Sequence, residues 1–161
     1  MFKVGDKVAC PPHGVGVIEK REVRRVKGKE VVYLRISIIG KNFSILIPET
    51  SATVSGVRHV ICKEEVSQIM KLLSTSPRST IQKWTVRHRT NIDRLRSGSA
   101  EELAVVVRNL TYRLRKKGLS YSEKKLLEEA FFRLAEEIAL SLEKPLKEVV
   151  QEMKKALRKI K

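Results

Sequence analysis

The sequence predicts an α+β fold, with a small barrel-like β module in residues 1–62 followed by an all-α region in residues 63–161. Three observations carry this. Up to about residue 60, short runs rich in β-branched residues alternate with turn residues. From Lys63 onward, apolar residues recur at helical spacings of three and four. Within that second part, Ser99-Ala-Glu-Glu102 and Ser120-Tyr-Ser-Glu123 have the spacing of capping boxes, and Gly98 and Gly118 stand just ahead of them as helix stops.

Taken in order, Phe2, Val4 and Val8 indicate a first strand interrupted by Gly5-Asp6, and Pro11-Pro12-His13-Gly14 breaks the chain. Residues 15–26 read as a second strand, Lys27-Gly28-Lys29 as a hairpin turn, and residues 31–38 as a third strand. Gly40-Lys41-Asn42 then turns the chain into residues 43–47, which Pro48 ends. In the helical part, Val66, Ile69, Met70 and Leu73 form the first apolar stripe, and residues 74–79 read as a loop. A helix follows around Trp84. The helix begun at Ser99 is expected to bury Leu103, Val106 or Val107, Leu110 and Leu114. The helix begun at Ser120 carries Leu127, Phe131, Leu134, Ile138 and Leu142, and Pro145 breaks it. A last helix presents Leu146, Val149 or Val150, Met153, Leu157 and Ile160. The change of pattern puts a domain boundary near residues 60–65, and no Pro/Gly/Ser-rich linker marks it.

The net charge is +16 and the isoelectric point is near 10.2, a balance that attracts polyanions. The charge is uneven. Between Arg78 and Arg96 there are six Lys/Arg and one acid, Asp93. Arg108, Arg113, Arg115, Lys116 and Lys117 follow without an acid among them, whereas acids outnumber bases in residues 122–143. Helix C-termini attract cations through the macrodipole, which accounts for Arg115, Lys116 and Lys117. It does not account for Lys83, Arg87 and Arg89, which fall early in their helix, and these three are assigned to phosphate.

Trp84, the only tryptophan, sits among them. Periodicity alone places it on an apolar stripe with Ile81, His88, Ile92 and Leu95, as a core anchor. If instead the helix begins with Thr85 as its cap, Trp84 precedes it. The ring is then exposed beside Arg87 and Arg89, as a wedge against nucleic acid would be.

Catalytic signatures are missing: there is no P-loop, no G-x-G-x-x-G, no H-E-x-x-H and no G-x-S-x-G. The chain is read as a non-enzyme with no cofactor. Cys10-Pro-Pro-His13 and His59-Val-Ile-Cys62 would make a Cys2His2 zinc set, but a buried strand cysteine, a turn histidine and apolar filler explain the same residues. Two cysteines make no disulfide framework. With neither a secretory signal nor a spanning apolar run, a cytoplasmic protein is expected.

The residues 2–14, Phe2-Lys-Val-Gly-Asp-Lys-Val-Ala-Cys-Pro-Pro-His-Gly14, resemble the opening of the CarD/CdnL transcription regulators, whose Tudor/SH3-like module also occurs in transcription-repair coupling factors. Val26-Lys-Gly-Lys29, Tyr33-Leu34 and Val57-Arg58 continue the likeness. Trp84 with its basic neighbours, Asn91, Leu95, Ser97-Gly98, residues 105–110 and Gly118-Leu-Ser-x-x-Glu-Lys124 extend it over the helical part. The resemblance implies a regulator, nucleoid-associated and monomeric, that binds the β subunit of bacterial RNA polymerase and promoter double-stranded DNA. It implies that Trp84 wedges into the minor groove at the upstream edge of the −10 element, with Lys83, Arg87 and Arg89 around it. Arg24, Val26 and Leu46 would face the polymerase. Leu46 departs from relatives that carry an arginine there, and Cys10 is no hallmark of the family. Two rival functions are an architectural DNA-binding protein that acts without polymerase and an RNA-binding protein.

Overall fold

The Lys27-Gly28 turn organises the first half of the structure. In the computed structural model, which describes residues 1–80 and 83–161, both turn residues have positive φ, 50° and 78°. That is the geometry of a two-residue type I′ hairpin loop, and it pairs Val26 directly with Lys29. The hairpin joins β2 (Gly14–Val26) to β3 (Lys29–Ile38). With β1 (Lys7–Cys10), β4 (Ser44–Pro48) and β5 (Arg58–His59) they form an antiparallel sheet in the order β4-β3-β2-β1-β5. This is the expected small Tudor-like module of an α+β fold. The first strand is shorter than expected, since the turn at Gly5 leaves Val4 exposed while Phe2 still reaches the core.

Val8, Cys10, Ile18, Leu34, Ile36 and Ile38 make that core, with Phe2, Ala52 and Val57 closing it. β2 crosses β3 closely at Gly16, where a Cβ would lie 2.3 Å from the Ser37 carbonyl oxygen. Only backbone can yield there, so Gly16→Ala should destabilise this unit by about 1–3 kcal/mol, the usual cost of overpacking. Urea unfolding followed at Tyr33 fluorescence in a Trp84→Phe/Tyr112→Phe/Tyr121→Phe background, which leaves Tyr33 the one reporter, would measure it.

The chain divides into two compact units, Met1–Val60 and Ile61–Lys161. The second holds α1 (Lys63–Leu73), α2 (Trp84–Arg96), α3 (Ala100–Lys116), α4 (Tyr121–Leu142) and α5 (Leu146–Leu157). Its start is fixed by two polar contacts to α4. The Ile61 N–H donates to the buried Glu137 carboxylate at 3.1 Å, and Ser141 donates to the Ile61 carbonyl. α3 lies against α1, α2 and α4, and its Leu103, Val106, Val107 and Leu110 are buried. Ser99 and Ser120 cap α3 and α4, but of the two expected capping boxes only that of α4 is complete, since the Glu102 carboxylate pairs with Arg94 at 3.3 Å; Gly98 and Gly118 take positive φ beyond the helices before them. Two expected core residues are not in the core. Leu114, near the end of α3, and Leu146, the first residue of α5, stay exposed.

Candidate nucleic-acid interface

Trp84 is the first helical residue of α2, and Lys83 rather than Thr85 occupies the cap position, without a side-chain cap bond. The first turn contains no acid. The first turn of α2 thus brings no carboxylate of its own to its foremost backbone N–H groups, and the positive end of the helix dipole adds to Lys83.

Trp84 is 43% exposed as a residue, so its ring is neither core nor free. One face stacks on His88 in the next turn, with centroids 5.0 Å apart and planes 14° from parallel. Its indole N–H donates to Ser120 Oγ at 3.2 Å. Ser120 is also the cap of α4. Its hydroxyl accepts from the Glu123 N–H at 3.2 Å and lies 3.2 Å from one Glu123 carboxylate oxygen. That carboxylate receives a fork from Arg87, Nε to one oxygen at 2.8 Å and a terminal nitrogen to the other at 3.0 Å. Arg87 and Glu123 are both buried. A continuous set of contacts thus runs Trp84–Ser120–Glu123–Arg87 and locks the start of α2 to the start of α4.

This corrects the assignment of Arg87 to phosphate. Its guanidinium points inward because the Glu123 carboxylate, held by its own capping box, requires a cation at the α2–α4 junction. The buried stripe of α2 is accordingly Arg87, Asn91 and Leu95, rotated from the expected one; Ile92 is half-buried, and Ile81 lies outside the described residues. Residues two apart on a helix point in different directions, which is why Arg89 stays outside while Arg87 turns in. The Arg87 hydrogen bonds hold the Glu123 carboxyl below the usual carboxylate range against the opposing effect of burial. Lys83 and Arg89 remain exposed, as do Arg78 and Arg96.

On the β unit, the other predicted residues gather on one face. β1 covers β2 only over residues 14–17, while β3 pairs with β2 as far as Val26. The outer half of β2, with Arg24 and Val26, therefore has a side unpaired within the sheet. Cross-strand partners share a face, as do residues two apart. By that rule Glu22, Arg24, Val26, Tyr33, Arg35 and Leu46 lie together: Glu22 opposes Tyr33, and Arg35 opposes Leu46. Glu22 pairs with both Arg24 at 3.0 Å and Arg35 at 2.8 Å. The Arg35 contact, with help from Arg24, holds the Glu22 carboxyl below its ordinary value. Arg24 lies over the Tyr33 ring at 5.9 Å. Arg35 was missed in the sequence because its relevance depends on the strand register.

The four zinc candidates have other surroundings. Cys10 is buried in the β core, where desolvation pushes its thiol up to about 11. His13 packs edge-on to Phe43, His59 bonds Asp6 at 3.1 Å, and the Cys62 N–H donates to Glu65 at the start of α1. Among the described residues, no cluster of three or more His, Cys, Asp or Glu is placed to hold a metal. No described helix is long and apolar enough to cross a membrane.

The family profile for the CarD C-terminal domain matches residues 68–154, and that for the CarD-like/TRCF RID domain matches residues 2–61. The chain belongs to the CarD family. A Bacillus subtilis (strain 168) relative named "Putative transcription factor YdeB" is 30% identical over 138 residues, which span 86% of this chain and 90% of that protein. As a CarD-family transcription factor, the protein has a polymerase-interacting type of domain in its β unit and the CarD-specific domain in its helices. The Trp84–Ser120–Glu123–Arg87 contacts lie wholly within that second match.

Proposed function

We propose that this CarD-family protein binds the RNA polymerase β subunit through its β unit and stabilises the promoter open complex with its helical unit. The observation that supports this best is the fixed, half-exposed Trp84 ring at the uncapped start of α2. A ring held on one face by His88 and at its N–H by Ser120 loses little freedom when its open face or edge packs against a base. Lys83 and Arg89 supply cations for the flanking phosphates, and the N-terminal amides of α2 suit an anion. Arg87 acts by positioning: it holds α2 against Glu123 and so sets where Trp84 points.

Inserting a wedge into closed duplex costs a few kcal/mol of unstacking. Where the strands are already parting, at the upstream edge of the −10 element, that cost falls. The contact therefore favours the open state, and only such differential affinity shifts the equilibrium. Tethering to polymerase raises the local concentration of the helical unit, so its own affinity for DNA can be low. The protein would then work as a monomer associated with the nucleoid.

For the tether, the outer half of β2 offers backbone groups to a strand of the partner, a common recognition mode. Arg24, Val26 and Leu46 face it together. Arg35, directly across from Leu46, supplies a cation on the face where Leu46 has none. Arg24→Glu would set a second carboxylate beside Glu22 and is expected to abolish co-purification with the β subunit. Normal co-purification, or tight promoter binding by the protein alone, would favour an architectural role without polymerase.

A further inference from the structure

The apolar stripe of α3 does not end where the core ends. Leu103, Val107 and Leu110 are covered, but Leu114, next in the series, is 42% exposed. On α4, Phe131 is buried while its neighbour Phe132 is also 42% exposed, with the two rings edge to face at 5.4 Å. Between these helices and the end of α5 runs a groove of about 480 Å³. Leu127, Phe131 and Leu157 line its floor, and Leu114 and Phe132 stand at its lips. Four cations from three helices also line it, Arg115, Lys124, Lys154 and Arg158, against one acid, Glu128. Arg115 is tied to α5 by a 2.7 Å bond to the Leu157 carbonyl. Lys124, Lys154 and Arg158 have no carboxylate partner among the described residues.

We infer that this groove docks an acidic amphipathic helix of another protein. The argument is complementarity. An apolar trough bordered by three helices takes the stripe of a fourth, the helix-in-groove mode. The unpaired cations around it require acids on the flanks of that stripe. A small amphiphile would contact the floor but leave both lips wet, whereas a helix covers Leu114, Phe132 and the floor together. Duplex DNA has no use for an apolar floor. A second copy of a chain with net charge +16 would bring like charge to the cationic rim.

The test uses the full chain and a fluorescein-labelled synthetic helix of about five turns, with leucines at i, i+3, i+4 and i+7 and glutamates on its flanks. Its controls are a peptide of the same composition scrambled to destroy the stripe, a promoter-sized duplex, and laurate as competitor. Anisotropy should report binding of the striped peptide at least about tenfold tighter than the scrambled one. Leu114→Ser/Phe132→Ser should weaken it about tenfold, and Lys154→Glu/Arg158→Glu should do so as well. Both pairs of side chains lie on the surface, and far-UV circular dichroism checks that the variants fold. Equal binding of the scrambled peptide, unchanged affinity in the variants, occupation by laurate with no peptide bound, or displacement of the peptide by the duplex would overturn the inference. So would a groove-dependent dimer in sedimentation. No polymerase enters the assay, so its result is separate from that of the tether.

Discussion

Arg87→Ala is expected to destabilise the helical unit by about 3–5 kcal/mol, the cost of leaving one partner of a buried ion pair alone. Glu123 would be left without its cation in a site where its side chain is 1% exposed, with only Ser120 as a donor. Against a typical domain stability of about 5–15 kcal/mol, this is a large fraction. Urea unfolding followed at 222 nm reads the helices and so reports the right unit. A midpoint within error of wild type would show that the pair contributes nothing net. The double variant Arg87→Met/Glu123→Met should recover most of the loss, because volume-matched apolar residues remove the buried charge together with its partner.

The same pair predicts a pH dependence. Glu123 has a folded pKa below its ordinary 4.5, chiefly through the Arg87 hydrogen bonds. A carboxyl depressed in the folded state binds fewer protons there than in the unfolded chain. Its stabilisation is therefore fully present above about pH 4.5 and disappears as pH falls through the folded value. Wild type should lose this component on acidification, and Glu123→Gln should lack it.

How far the fold was legible follows from which physical rules are local. The hairpin at Lys27-Gly28 and the caps at Ser99 and Ser120 depend on the few residues around them, and the sequence displays them directly. The Glu123 spacing identified a capping box, and the box is present. Its second role was not legible, because the Arg87 partnership spans 36 positions and depends on how α2 and α4 pack. Leu114 shows the opposite failure. Its periodicity is real, yet an apolar stripe states only that a face prefers cover, not that this chain provides it. On the β unit, Arg24 and Val26 could be read from the likeness of the hairpin to its family. Arg35 required the register that sets it opposite Leu46.

For Trp84 the sequence left two readings, core anchor and exposed wedge, and the geometry lies between them. The ring begins the helix, as a core anchor would, yet 43% of the residue remains exposed because Arg87 rather than Trp84 turns inward. Trp84→Ala should shorten the lifetime of the promoter open complex about tenfold, equivalent to about 1.4 kcal/mol of lost preference for the open state. Polymerase co-purification should be unaffected. The variant removes an indole that the fold uses only through Ser120 and His88, so the helical unit should still fold. Ser120→Ala separates the ring from its orientation. It keeps the indole, removes the acceptor of its N–H and costs about 1 kcal/mol of capping. An intermediate lifetime in Ser120→Ala, with promoter affinity at low salt retained, is the signature of a wedge whose direction matters. If Trp84→Ala leaves the lifetime unchanged, the ring is a surface aromatic fixed for the sake of the fold, and the open-complex function must be sought elsewhere on the helices. If Ser120→Ala matches Trp84→Ala, orientation accounts for the whole effect, and the Arg87→Met/Glu123→Met variant should then fail at the promoter while remaining folded.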